Sequence, residues 1–271
     1  MKNTGGTNLW DGRRKPNPQA SVRLFCFPYA GGAASIFRAW SDILPDFVET
    51  YPVQLPGRGP RSAEALITHL PELLQALADA LGPHLDKPFA FFGHSMGALL
   101  SFELARLLRE QSGVEPAHMF LSGCRALQIP DPHPPTHDLP EPEFVDVLRR
   151  LNGTPKEVFE IPELLSFILP LLRADFKLCQ TYRYTDDLPL GCPLTVFGGT
   201  EDQTTREQLE AWREQTYASF SLKMFPGDHF FLHAAEREIL EIIAAQLAAT
   251  LRRPERERPQ ATGLRPCAVN S

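Results

Sequence analysis

A serine between two glycines stands at the junction of a predicted buried strand and a predicted helix. The apolar run Phe89–Phe92 leads into Gly93–Gly97, which has the spacing Gly-x-Ser-x-Gly around Ser95. A strand, a sharp turn and a helix in this order expose the serine hydroxyl as a nucleophile, and the glycines allow the turn to be sharp. The N-terminus of the helix, with the Met96 N–H, then faces any oxyanion formed on the serine. The pattern predicts covalent catalysis by Ser95.

A base and an acid that would activate this serine are predicted in the loops after two later strands. In a sheet of parallel strands, functional loops lie at the carboxyl ends of the strands. Asp202 and His229 both occupy such loops, in the chain order serine, acid, histidine. We expect Asp202 to hold His229 in the tautomer that accepts the Ser95 proton. Glu201 is the alternative acid, and Asp202 is preferred because Glu201 lies one step closer to its strand.

A second oxyanion donor is predicted in the loop after the first strand. This loop, Tyr29–Gly32, consists mainly of small residues, which let the backbone approach a substrate closely. The backbone N–H of Ala30 is the candidate, and it would act together with the Met96 N–H. The alternative interpretation of the loop is a plain glycine turn.

No metal ion and no bound cofactor are expected at this site. His229 and His233 have the four-residue spacing of a zinc-binding helix, but Phe230 stands where zinc hydrolases of that type carry glutamate. His133 and His137 lie in a proline-rich loop, which does not keep the helical register that aligned ligands need. The chemistry is therefore expected to depend on side chains and backbone amides alone.

Composition limits the classes of partner. The chain has 271 residues and a formal net charge of −6, which argues against a broad basic face for nucleic acid. No apolar run is long enough to span a bilayer, and the polar N-terminal segment contains no signal-peptide core. The five cysteines are scattered and odd in number, as is typical of reduced cysteines in the cytoplasm. We therefore expect a cytoplasmic protein that binds neither nucleic acid nor membranes.

Alternating strands and helices predict how the functional loops are positioned. Strands are predicted at 21–27, 47–53, 88–92, 117–122, 192–197 and 219–225. Helices are predicted at 34–44, 63–85, 98–110, 206–217 and 232–251. Such alternation calls for a parallel sheet with right-handed crossovers. The predicted fold class is α/β, with a mostly parallel central sheet flanked by helices.

One segment, 126–190, interrupts the alternation and is too long for a simple crossover. It contains predicted helices at 143–151 and 162–184, and the second is apolar nearly all round its first half. A helix of that kind must be covered on several sides. We therefore interpret the segment as a helical lid above the serine, with Phe167 and Leu171 as substrate-binding residues. The alternative is a packing insertion without a gating role.

The remaining boundaries follow from these elements. Residues 21–125 and 191–251 are predicted to form the core that surrounds the sheet. Residues 1–20 read as a polar arm, and residues 252–271, which are polar, basic and contain prolines, as a disordered tail.

Four motifs follow one another along the chain, within a similarity that runs from about residue 9 to residue 251. They are Arg23–Gly32, Gln54–Arg58, Gly93–Ala98 and Gly227–Leu232. With them the chain resembles type II thioesterases, the stand-alone editing hydrolases of nonribosomal peptide and polyketide synthases. The resemblance implies an α/β-hydrolase core with a helical lid. It also implies the triad Ser95, Asp202 and His229, with Ala30 and Met96 as oxyanion amides.

One departure from the family concerns the residues after the acid. Gln203, Thr204 and Thr205 follow Asp202, where relatives often carry a valine. The assignment of Asp202 as the acid does not depend on that position.

The resemblance also implies a substrate and a partner. The substrate is an acyl group held as a thioester on the phosphopantetheine arm of an acyl or peptidyl carrier protein. Carrier domains are acidic, so Arg38, Arg58 and Arg61 are candidate contacts for docking. Three alternatives remain open: a lipase-like carboxylesterase, an acyltransferase, and a ligand receptor that has retained the fold.

Overall fold

A parallel β-sheet forms the centre of the computed structural model, which describes residues 10–12 and 15–252. Its strand order is β2-β1-β3-β4-β5-β6, and every pair of neighbouring strands is parallel. The strands are β1 (Val22–Phe27), β2 (Val48–Pro52), β3 (Phe89–His94), β4 (His118–Ser122), β5 (Leu194–Gly199) and β6 (Phe220–Phe225). The predicted parallel sheet is confirmed, with β3 extending two residues beyond the predicted end.

Helices cover both faces of the sheet. They are α1 (Trp40–Ile43), α2 (Leu70–Leu81), α3 (Met96–Ser112), α4 (Glu141–Leu151), α5 (Lys156–Glu160), α6 (Pro162–Gln180), α7 (Arg206–Glu210), α8 (Phe231–Ala234) and α9 (Glu236–Leu251). None of these described helices combines the length and the apolar content that crossing a bilayer requires.

Alternate residues of the central strands enter two separate cores. Phe25 and Phe27 of β1 belong to the core on the side of α2 and α3, whereas Leu24 and Cys26 belong to the core on the side of α9. Successive side chains of a strand point to opposite faces, so a strand covered on both faces is apolar throughout. All six residues of β1 are buried, which matches its near-continuous apolar sequence.

The predicted helix 63–85 is wrong in its first turns. Helix α2 begins at Leu70, with Pro71 in its first turn, and ends at Leu81. Proline is favoured at the start of a helix because its missing N–H would have no partner there, and its ring disfavours helical backbone at the preceding residue. The leucine spacing therefore placed the predicted start of the helix at residue 63, before the first turn that Pro71 marks.

The segment 126–190 contains three helices with a small core of their own. This core consists of buried residues from α4 and α6, namely Phe144, Val145, Leu148, Leu169 and Leu172. The sequence predicted that the apolar surface of α6 is covered on several sides, but part of this surface is exposed. Leu164 is 46% exposed and Phe167 is 69% exposed, so the first half of α6 presents apolar surface to solvent.

The described part of the N-terminal arm lies against the end of β2. Asp11 forms an antiparallel bridge with Val53, and the Gly12 N–H donates to the carbonyl of Pro52. The Arg61 guanidinium lies 4.0 Å from the ring centre of Trp10. The predicted tail, apart from Arg252, lies outside the described residues.

Candidate active site

Ser95 lies in a strained turn between β3 and α3. Its backbone angles are φ 55° and ψ −115°, a region that residues with a Cβ rarely adopt. A Cβ added to Gly93 would lie 2.1 Å from the Gly97 carbonyl oxygen, and one added to Gly97 would lie 2.1 Å from the Phe27 carbonyl oxygen. Both glycines are therefore required by close backbone packing. The turn presents Ser95 at the carboxyl end of β3, where it is half-buried.

Two backbone amides are the predicted oxyanion donors. Met96 is the first residue of α3, so its N–H has no acceptor within the helix. The Gly32 N–H donates to the Tyr29 carbonyl at 2.9 Å, and Gly31 has φ +77°. Those are features of a type II turn, which needs glycine at its third position. Ala30 is the second residue of this turn.

The predicted acid and the predicted base lie within hydrogen-bonding distance of each other. His229 Nδ1 is 2.8 Å from Asp202 Oδ2, and the Asp202 side chain is only 3% exposed. A carboxylate can only accept, so Nδ1 is the donor and Nε2 is left as the basic nitrogen. Glu201, the alternative acid, is exposed, and its backbone N–H donates to the Gly227 carbonyl.

A ring contact places the base beside the turn that carries the serine. The His229 ring centre lies 5.1 Å from that of His94, the residue before Ser95. Among the residues that the structure describes, no hydrogen bond joins Ser95 to the His229 ring. Hydrogen bonds between nucleophile and base are often long without substrate and tighten in the complex.

His94 is a site residue that the sequence interpretation missed, since it occupies an unspecified position of the Gly-x-Ser-x-Gly pattern. Its side chain is completely buried, and its Nδ1 lies 2.8 Å from Ser122 Oγ. The ring also packs against Tyr29 and Phe231. Burial, followed by the nearby charge of His229, holds the pKa of His94 well below the ordinary histidine value of 6.5. The neutral ring forms the buried support on which His229 packs.

His94 is expected to make the stability of the fold depend on pH. Below pH 6.5 an unfolded His94 binds a proton that the folded residue does not bind. Lowering the pH from that value toward the depressed pKa should therefore reduce the free energy of unfolding, by up to about 1.4 kcal/mol per pH unit. Urea denaturation of wild type and His94→Asn between those pH values measures the contribution as a difference in slope.

The matched control for this measurement is His69→Asn, because His69 is exposed. That variant should keep the wild-type slope. Equal slopes for wild type and His94→Asn would contradict the assignment of His94 as a neutral buried ring.

The two residues predicted to bind substrate occupy different environments. Phe167 is 69% exposed on α6, whereas Leu171, one turn further along, is 7% exposed. A cavity of about 420 Å³ opens beside the His229 loop, and neither residue lines it. The cavity is lined by Tyr29, Asn152, Gly153, Thr154, Pro155, Lys156, Phe230 and His233. The segment between α4 and α5 thus contacts the His229 loop, where Asn152 Nδ2 also donates to Asp228 Oδ2 at 3.2 Å.

Two of the three arginines proposed for docking are buried, so that prediction is wrong for them. Arg58 and Arg61 are each 6% exposed. Arg58 is paired with Asp175, and Arg61 donates to the Gln54 carbonyl and to Glu64. The loop after β2 folds inward, and the sequence offers no sign of that direction. Arg38 is exposed.

Comparison with known proteins agrees with this geometry. The Thioesterase domain family matches residues 22–247. Linear gramicidin dehydrogenase LgrE of Brevibacillus parabrevis is 52% identical over 241 residues, which cover 88% of this chain and 92% of LgrE. Gramicidin S biosynthesis protein GrsT of Aneurinibacillus migulanus is 48% identical over 245 residues, which cover 90% of this chain and 96% of GrsT.

A solved structure extends the similarity to the whole fold. The RedJ thioesterase from the prodiginine pathway of Streptomyces coelicolor is 40% identical, with a TM-score of 0.78. The match covers 85% of this chain and 88% of RedJ. The sheet and its flanking helices have the α/β-hydrolase architecture of such thioesterases, as predicted. The family match spans most of the sequence, and the alignments with LgrE and GrsT cover nearly the full length of both relatives. The chain therefore belongs to the thioesterase family.

Proposed function

We propose that the chain is a stand-alone thioesterase that removes aberrant or stalled acyl groups from carrier proteins in natural-product biosynthesis. The observation that carries the proposal is the arrangement of a serine in a nucleophile turn beside His229, whose Nδ1 lies 2.8 Å from the buried carboxylate of Asp202. The related GrsT and RedJ, whose names refer to gramicidin S and prodiginine biosynthesis, support the class of pathway.

The proposed reaction proceeds through an acyl-enzyme. Ser95 Oγ attacks the thioester carbonyl carbon while His229 Nε2 takes the hydroxyl proton. The amides of Ala30 and Met96 donate to the oxyanion, and loss of one such donor typically costs on the order of 10²–10³ in rate. The carbon–sulfur bond then breaks, and the phosphopantetheine thiol leaves with the proton from His229. Water, deprotonated by His229, releases the free acid and restores Ser95.

In this mechanism the buried Asp202 determines which nitrogen of His229 acts as the base. Asp202 accepts the Nδ1–H of His229 and so keeps Nε2 free to act as the base. It also stabilises the imidazolium that forms in each half-reaction. Every group that the reaction needs belongs to the protein or to the substrate, which brings the phosphopantetheine arm with it, so we propose no cofactor.

The partner in this proposal is an acyl or peptidyl carrier protein. Arg38 is the remaining exposed arginine among the three considered for docking. We propose that gating by the segment 126–190 selects the acyl group, as a lid would. The cysteines Cys26, Cys124, Cys179 and Cys192 are free, which supports a reducing compartment such as the cytoplasm.

The dehydrogenase name of LgrE suggests a second function, which the loop after β1 does not support. A dinucleotide-binding fold carries Gly-x-Gly-x-x-Gly between its first strand and a helix that meets the pyrophosphate. Here β1 is followed by Pro28–Gly32, which lacks that spacing, and by a short 3₁₀ helix over Ala34–Phe37.

The proposed function is tested by comparing two substrates that carry the same acyl group. Hydrolysis of acyl-phosphopantetheinyl carrier proteins is measured against the matched p-nitrophenyl esters, with Ser95→Ala as the control. We expect a higher kcat/KM for the carrier thioester and loss of that activity in the variant. A higher kcat/KM for the free ester would indicate a general esterase.

Two further outcomes would contradict the proposal. Acyl transfer to an added alcohol or amine in preference to water would indicate an acyltransferase. Absence of turnover with either substrate would favour a ligand receptor.

A further inference from the structure

A buried carboxylate from the inserted helices is bonded to the loop that carries Ala30. Asp175 of α6 is 1% exposed, and its Oδ2 accepts the backbone N–H of Gly31 at 2.8 Å. The same oxygen accepts Arg58 Nη1 at 2.7 Å, and Oδ1 accepts Arg58 Nη2 at 2.8 Å. One carboxylate therefore joins α6, the turn after β1 and the loop after β2.

The turn is also held by two contacts that do not involve the carboxylate. Arg58 Nη1 lies 3.2 Å from the Gly32 carbonyl oxygen, to which it donates. A Cβ added to Gly31 would lie 2.6 Å from Leu172 Cδ2, so α6 packs directly on the backbone of the turn. Within the turn, the Gly32 N–H donates to the Tyr29 carbonyl, and the Gly31 N–H donates to Asp175. Neither of these two hydrogen bonds involves the Ala30 N–H.

The charge of this arrangement is balanced. A lone carboxylate so close to a developing oxyanion would oppose it, because the interior screens charges weakly. The two-point contact with Arg58 offsets the negative charge and also fixes the orientation of the carboxylate. Asp175 can then act as a hydrogen-bond acceptor for the turn without repelling the oxyanion.

We infer that Asp175 is a positioning residue for the oxyanion site: it holds the Gly31 N–H so that the neighbouring Ala30 N–H faces the reacting carbonyl, and Arg58 neutralises it. The inference rests on the proposed function in one respect, since it takes Ala30 as an oxyanion donor. The contacts of Leu172 and Asp175 also divide α6 into two parts. The half that carries Leu172 and Asp175 is fixed to the catalytic loop, so lid movement is confined to the segment that precedes it.

The test compares two variants that both lack the buried charges. Arg58→Met/Asp175→Asn keeps a carbonyl oxygen that accepts the Gly31 N–H, whereas Arg58→Met/Asp175→Ala does not. We expect kcat for p-nitrophenyl butyrate to be about tenfold lower in the alanine variant, with KM within about threefold, because only transition-state stabilisation is lost. Equal kcat values in the two variants would overturn the inference.

A buried ion pair at the other end of the same two strands supplies the matched control. Arg23 pairs with Glu49 at 2.8 Å, with side chains 6% and 2% exposed, near the amino ends of β1 and β2. Glu49→Gln should lower Tm and leave kcat unchanged. If Glu49→Gln lowers kcat as much as Arg58→Met/Asp175→Ala does, the effect is one of general stability and the inference fails.

A second variant covers the case in which the Asp175 variants do not fold. Arg58→Lys keeps the charge but loses the two-point contact that orients the carboxylate. We expect a lower kcat with an unchanged KM, and an unchanged kcat would overturn the inference. The ester substrate separates this test from the proposed function, because turnover of the ester requires the oxyanion site but no carrier protein.

Discussion

Replacement of Ser95 by alanine is expected to lower kcat for thioester hydrolysis by a factor on the order of 10⁴–10⁶, as loss of a nucleophile does in other serine hydrolases. The reason is that no acyl-enzyme can form, and water must attack the thioester directly. The oxyanion amides and bound substrate remain, so a residual rate above that in water should persist. Steady-state rates with an acyl carrier protein measure the loss, and mass spectrometry should detect acylated protein only in the wild type.

The variant should keep its fold, because alanine and serine carry the same Cβ at the strained position with φ 55°. An unchanged Tm checks this. Ser101→Ala is the matched control: Ser101 is a buried serine of α3 whose hydroxyl donates to the Ala98 carbonyl. If Ser95→Ala retained most of the wild-type rate, or if Ser101→Ala lost as much activity, Ser95 would not be the nucleophile.

Replacement of Asp202 by asparagine is expected to lower kcat by a factor of about 10⁴, as the equivalent change does in serine proteases. Asp202 Oδ2 accepts the Nδ1–H of His229 at 2.8 Å, which leaves Nε2 as the base. An asparagine can present its N–H group to Nδ1 instead and so stabilise the tautomer that cannot accept the Ser95 proton. The measurement is kcat with the same carrier substrate as above.

Glu201→Gln provides the comparison for this change, because it removes the adjacent carboxylate, which is exposed. It should leave kcat within about threefold of the wild type, the range typical of surface changes away from a site. A larger loss of kcat in Glu201→Gln than in Asp202→Asn would transfer the role of the acid to Glu201.

Asp175 and His94 show how much of the site depends on parts of the chain that are distant in sequence. Asp175 belongs to the inserted helices, yet it bonds to the turn at Gly31, which is 144 residues away. His94 lies next to the predicted nucleophile, but its role as a buried support follows from its contacts with His229, Tyr29 and Phe231. No pattern in the amino-acid sequence predicts the contacts of Asp175 or those of His94.

The docking prediction failed for Arg58 and Arg61 for a related reason. Arginines in a loop after a strand are most often exposed, because a buried charge is costly unless it is paired. Arg58 is paired by Asp175, a partner from another part of the chain, and this pairing allows the loop to fold inward. Burial of a charged residue is thus decided by a partner that the local sequence does not contain.

The parallel sheet, the turn at Ser95 and the family of the protein could all be predicted from the amino-acid sequence. These features depend on local patterns: apolar runs that suit buried strands, glycines at positions where no Cβ fits, and short motifs in a fixed order. The sequence favoured Asp202 over Glu201, and the folded chain places Asp202 against His229. Where α6 is exposed, and how Asp175 connects this helix to the turn after β1 and the loop after β2, could be seen only in the structure. Those features depend on the directions of side chains and on contacts between distant segments, which form only when the chain packs.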